Sequence, residues 1–139
     1  MKNNDYDNFQ QLQLLAWQLL INSKSSELPI RITPIAKLYN VDDSINYNLS
    51  RWQNSKIISE KILNLYGLNY SEDAAHQLAV RILCPMCIIK ECNIHHPEEL
   101  VLLCDIPYDE AVKRLRRFEK LLVKNNFYVS ELESELPRG

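Results

Sequence analysis

A mainly α-helical fold with at most a small vestigial β element is what the sequence predicts, on three observations. Apolar residues recur at three-and-four spacing over residues 6–21 and again over 72–83, the period of a helix that buries one stripe. Capping residues and prolines stand ahead of most of the later apolar runs, as at helix starts. The chain has only two glycines, Gly67 and Gly139. That leaves little material for tight hairpins, phosphate-binding loops or dinucleotide fingerprints, which need positive φ or close backbone approach.

Each element follows from local chemistry. Phe9, Leu12, Leu15, Ala16, Leu19 and Leu20 form the stripe of a first helix over 6–21. After a polar break at 23–29, Ile30 and Ile32 alternate with Arg31 as in a short strand. Thr33 and Pro34 then read as an N-cap and first helical residue, opening a short helix over 34–39. Residues 41–54 are rich in Asn, Asp and Ser and lack a clean period, so they read as a loop with a brief extended piece at 45–47. Ile57, Ile58, Ile62 and Leu65 belong to a helix that ends at Gly67, a residue suited to the left-handed cap. Ser71 offers the N-cap of the next helix. Glu72 and Asp73 fall in its first turn, where the dipole favours carboxylates, and Ala75, Leu78, Ala79, Ile82 and Leu83 form its apolar face. Pro85 interrupts that helix, and 86–92 is apolar enough for a short buried turn. Pro97 opens a helix to Cys104, and Pro107 with Asp109 and Glu110 opens a longer one to about Lys124, making a helical hairpin. Phe127, Val129, Leu132 and Leu136 give the tail enough apolar material to dock on the body.

A chain of 139 residues suits one compact domain, 1–139, with a less regular part at 1–70 and a helical part at 71–139. Hydrophobic content of 46%, charged content of 24% and a net charge of −2 supply no global basic field. The composition therefore weighs against DNA as a partner. The first residues are polar and acidic, and the best apolar stretch, 14–21, is interrupted by Gln18 and too short to cross a bilayer. We expect a cytoplasmic protein with no membrane partner, whose four cysteines are reduced thiols.

Residues 71–85 read Ser-Glu-Asp-Ala-Ala-His-Gln-Leu-Ala-Val-Arg-Ile-Leu-Cys-Pro. Pro97-Glu98-Glu99-Leu100 follows, and then Ala111 with Arg114-Leu115. In order and spacing this resembles the ImmA/IrrE family of zinc metallo-endopeptidases. That family carries an E-x-x-A-N-x-F-A-x-x-L-L-x-P helix, a P-E-E-[LI]-A stretch and a hairpin ending in R-L-x-x-L. Asn126-Phe127 and Leu132-Glu133 are similar to its C-terminal segment. Leu28-Pro29-Ile30 with Ile35-Ala36 is more loosely similar to its N-terminal entry. The resemblance implies a cut-down ImmA/IrrE fold from a bacterial or phage setting, where full members cut repressors encoded on mobile elements.

The family's chemistry rests on H-E-x-x-H, in which two histidines one helical turn apart hold zinc, the glutamate is the general base and a later carboxylate completes the ligand set. No such motif occurs here. The resemblance lays Ser59-Glu60-Lys61-Ile62-Leu63 on it, with Ser59 and Leu63 in the histidine positions and Glu72 at the later carboxylate. The implied protein is a pseudo-peptidase with no catalytic residues and no expected cofactor. It would bind a repressor or another host or phage protein. The alternative is a zinc peptidase in which Glu60, Glu72 and His76 converge on the metal. For His76 a helix-surface hydrogen bond, one turn after Glu72, is the plainer role.

Two further constellations compete with bland readings. Cys84, Cys87, Cys92 and His95 have the spacing of a structural zinc site, since Cys-x2-Cys is a common half-site. They also lie in an apolar run among Ile82, Leu83, Ile88 and Ile89, where cysteines pack as small hydrophobes. Lys113, Arg114, Arg116, Arg117, Lys120 and Lys124 could face phosphates if the last two helices were a DNA-binding helix-turn-helix. Asp109, Glu110 and Glu119 dilute that patch, and Glu110 to Arg114 has the spacing of an ion pair, as on a solvated helix face. His96, ahead of Pro97, fits a helix N-terminus better than a ligand position.

Overall fold

The computed structural model describes residues 2–25, 27–67 and 72–124, and only the backbone at 2–10, 72 and 121–124. Its described residues form seven α-helices and one 3-10 turn, with no strand: α1 (Lys2–Asn22), α2 (Ile32–Leu38), the turn Asp42–Ser44, α3 (Arg51–Leu65), α4 (Glu72–Leu83), α5 (Met86–Glu91), α6 (Pro97–Cys104) and α7 (Tyr108–Lys124). The mainly α class is as the sequence predicts.

Helix α4 is the centre of the assembly, because α1 and α3 both pack against it. Its composition explains the position. Ala75, Leu78, Ala79, Val80, Ile82 and Leu83 are all buried, so the helix is apolar on most sides rather than on one face, and such a helix belongs inside. Arg81 is buried with it, and its guanidinium donates to the Gln77 carbonyl at 3.2 Å and to Gln77 Oε1 at 2.7 Å. One hydrophobic cluster takes in side chains from every α-helix. The α6–α7 pair forms the expected hairpin.

Three local readings are corrected by the structure. The strand at Ile30 and Ile32 is absent. Ile32 is the first residue of α2, and the Ile30 carbonyl accepts from Arg51 Nη1 at 2.9 Å. A lone strand has no ladder partner, so its backbone groups bond elsewhere. Arg31, not Thr33, is the N-cap of α2, at φ −89 and ψ 124. Pro34 sits in the first turn, where N–H groups lack intrahelical acceptors, so its missing donor costs nothing. The supposed loop 41–54 is shortened, since α3 begins at Arg51 behind a reciprocal cap. Gln53 N–H donates to Ser50 Oγ at 3.1 Å, and Ser50 N–H donates to Gln53 Oε1 at 3.1 Å. Residues 45–47 form no extended strand there. Buried Asn54 holds the segment by donating to the Asn46 carbonyl at 2.8 Å and accepting from Asn46 N–H at 2.8 Å.

Other boundaries match the sequence reading. Gly67 closes α3 at φ 65, Pro85 is the N-cap of α5 and His96 that of α6. The Ser71 cap and the docking tail lie outside the described residues.

Candidate functional site

The surface groove with the richest chemistry lies where α3, α4 and α7 meet. Two adjoining cavities of about 450 and 260 Å3 share Asp73 and His76 along it. Lys56, Ile57 and Glu60 of α3 line the larger; Glu110, Lys113 and Arg117 of α7 line the smaller.

His76 organises the groove from the central helix. Its Nε2 lies 3.0 Å from Glu110 Oε1, and its ring stands edge-on to Trp52, with centroids 5.1 Å apart and planes at 88°. Lys56 Nζ sits over the Trp52 ring at 5.3 Å, a cation–π contact. Glu110 is buried on the inner face of α7, and its second oxygen lies 3.9 Å from Lys113 Nζ. Three helices are thus tied through one imidazole. The hydrogen bond expected of His76 exists, but its recorded partner is Glu110 across the helix interface rather than Glu72 one turn back. The Glu72 side chain lies outside the described residues.

Glu60 and His76 line the same cavity. Among the described residues, however, no three His, Cys, Asp or Glu side chains stand close enough to share a metal ion. Ser59 and Leu63, in the positions where the resemblance would place histidines, point into the core at 0% and 1% exposure. Even imidazoles there would face leucines and isoleucines rather than the groove. What remains is a carboxylate that orients a histidine, an arrangement that fixes the ring and leaves its Nε2 occupied.

The cysteine–histidine set is dispersed as well. Cys84 and Cys87 are buried and Cys92 and His95 are exposed. Cys92 departs from the expectation of a buried thiol because it caps α5 at the surface. Of the basic residues on α7, Lys113, Arg116 and Lys120 are exposed and Arg117 is half-buried. Arg114 is buried, and its Nε donates to the Cys84 carbonyl at 2.9 Å. It therefore cannot reach a phosphate backbone without leaving the core, which breaks the proposed DNA-binding face at its centre.

A second surface is built from helix ends. The C-termini of α1, α2 and α3 meet where Asn22 Nδ2 donates to Tyr39 Oη at 3.0 Å and the Tyr39 and Tyr66 rings lie 6.5 Å apart. Partial burial and the hydrogen bond to Tyr39 push the Tyr66 phenol above its ordinary value. Each helix end also carries an exposed apolar residue: Ile21 at 46%, Leu38 at 49% and Leu65 at 60% exposure.

Sequence reasoning missed Trp52, Lys56 and the helix-end residues. The Ser50-x-x-Gln53 cap signature could have extended α3 back to include Trp52 and Lys56. No local signal brings residues 21, 38 and 65 together.

Comparison with protein-family models, curated proteins and solved structures finds no match to this chain. No helix among the described residues is long and apolar enough to cross a membrane.

Proposed function

We propose that this chain is a non-catalytic regulator that binds a protein, a pseudo-peptidase relative of the ImmA/IrrE enzymes of bacterial mobile elements. Its partner class is a repressor or another host or phage protein, which it would hold or inhibit rather than cut. The observation that carries the reading is the helix-end surface. Leu38, Leu65 and Tyr66 stay open to solvent beside a Tyr39–Tyr66 contact, and exposed apolar and aromatic side chains gathered at one place are the usual core of a protein interface. The groove supports the same reading, because its histidine is engaged by Glu110 and, among the described residues, no three His, Cys, Asp or Glu side chains gather around one point.

Photo-crosslinking in the native host tests the reading. A photoreactive residue replacing Leu65 should capture one discrete protein. The same residue replacing Leu102, which is 80% exposed on α6, should not. Equal capture at both positions, or capture at Leu102 alone, would refute it.

A further inference from the structure

The basic residues of α7 do not make a DNA-binding face, yet three of them meet in one place. Lys113, Arg114 and Arg117 line the smaller cavity of the groove, of about 260 Å3, together with Gln77 and Val80 of α4. Asp73, His76 and Glu110 complete its wall. Three bases there outnumber two carboxylates, so the cavity is positive in a chain whose net charge is −2.

The two carboxylates differ in what they present. Glu110 is 7% exposed and already engaged, with one oxygen 3.0 Å from His76 Nε2 and the other 3.9 Å from Lys113 Nζ. It positions the ring and the ammonium group more than it offers charge to the cavity. Asp73 is exposed, where this cavity joins the larger one. On the inner side Arg114 is 3% exposed, and its Nε bond to the Cys84 carbonyl at 2.9 Å holds the guanidinium in place. Gln77 Oε1 accepts from Arg81 Nη1 at 2.7 Å, which leaves the amide NH2 of Gln77 as its donor. An incoming group therefore meets mainly N–H donors and positive charge, set in position by buried partners.

We propose that this groove binds a small phosphate monoester. Its phosphate sits among Lys113, Arg114 and Arg117, and its organic part lies in the adjoining cavity of about 450 Å3, beside Ile57 and Ala75. A phosphate group brings three acceptor oxygens and nearly two negative charges, which suits three bases better than the two oxygens and single charge of a carboxylate. A nucleic-acid backbone cannot reach recessed Arg114, whereas a small group can enter the cavity. The two cavities together fall in the size range of small-molecule sites. The bound ester bridges α4 and α7, so binding should stabilise the fold. None of the lining residues belongs to the helix-end surface, and the site stands independently of that interface.

Calorimetric titration and thermal unfolding of the full chain test the proposal, with phenyl phosphate, inorganic phosphate and benzoate each compared with sodium chloride of equal ionic strength. Phenyl phosphate should bind one per chain with a Kd at or below about 1 mM and raise Tm as it saturates. Inorganic phosphate should bind more weakly, and benzoate should not saturate over the same range. Lys113→Ala and Arg117→Ala should each weaken phenyl phosphate binding by about tenfold. Arg116→Ala/Lys120→Ala, which removes two exposed bases that line neither cavity, should leave it unchanged. No saturation by about 10 mM phenyl phosphate, or an equal loss in Arg116→Ala/Lys120→Ala, would overturn the proposal. Inorganic phosphate or benzoate binding as tightly as phenyl phosphate would also overturn it, in favour of a site for the free ion or for anions in general. A phosphotyrosine peptide that binds where phenyl phosphate does not would reassign the groove to a protein partner. The side chain of Lys113 is 69% exposed, so its truncation keeps the test decisive if Arg117→Ala does not fold.

Discussion

His76 sits on α4, the helix that α1 and α3 pack against, yet its imidazole reaches the surface groove and holds Glu110 there. Glu110 is 7% exposed, and a carboxylate so placed is stabilised only while its partners remain. Glu110→Ala removes the acceptor and leaves a half-buried imidazole without this partner, so it should cost about 1–3 kcal/mol in urea denaturation. Lys113→Ala deletes only an exposed contact at 3.9 Å and should change stability by less than about 0.5 kcal/mol. Equal losses would mean that the His76 contact contributes little. At this scale the sequence was half legible. His76 stood out for its place one helical turn after Glu72, where a hydrogen bond was the plainer role. Its partner did not, because Glu110 lies 34 positions away and nothing in local spacing distinguishes it from the acidic first turn of any helix. Arg114 was misread for a related reason. A basic residue among basic residues looks solvated, and only the fold shows that it bonds the Cys84 carbonyl.

Helix boundaries were the most legible level. The proline at 97, the two-proline punctuation of the hairpin and Gly67 all act within a few residues, so they can be read without tertiary knowledge. The starts of α2 and α3 were missed because a proline was taken for the first helical residue and a Ser-x-x-Gln cap was overlooked. Helix α6 offers a test of capping. Glu99 Oε1 accepts from the N–H groups of His95 at 3.0 Å and His96 at 3.1 Å, and these bonds hold its carboxyl below the ordinary glutamate value of 4.5. A depressed folded-state value contributes stability above the ordinary value, which is lost as the pH falls through the folded one. The Tm difference between the wild type and Glu99→Ala should therefore be present at about pH 7 and narrow from about pH 4.5 downward. A difference that stays constant to about pH 2 would show that the charge is not involved.

For the molecule as a whole, helical class and hairpin were readable because they follow from periodicity and punctuation. The meeting of three helix ends was not readable, since it depends on how α1 and α3 pack on α4 and how α2 packs on α1 and α3. The resemblance to zinc peptidases supplies a sharp contrast at this scale. A peptidase needs three convergent ligands and an open position, whereas Ser59 and Leu63 face the core. Elemental analysis of purified protein should find no stoichiometric zinc. About one zinc per chain, lost on His76→Ala, would restore the peptidase reading, and the same zinc lost on Cys84→Ser would favour the cysteine site.

Binding through the helix-end surface is tested most directly by calorimetric titration of the protein captured at Leu65. The account predicts that Leu65→Asp, which places a charge among apolar contacts, weakens that binding by about tenfold or more, while Leu102→Asp leaves it unchanged. Equal affinities for wild type and Leu65→Asp, with both folded, would contradict it.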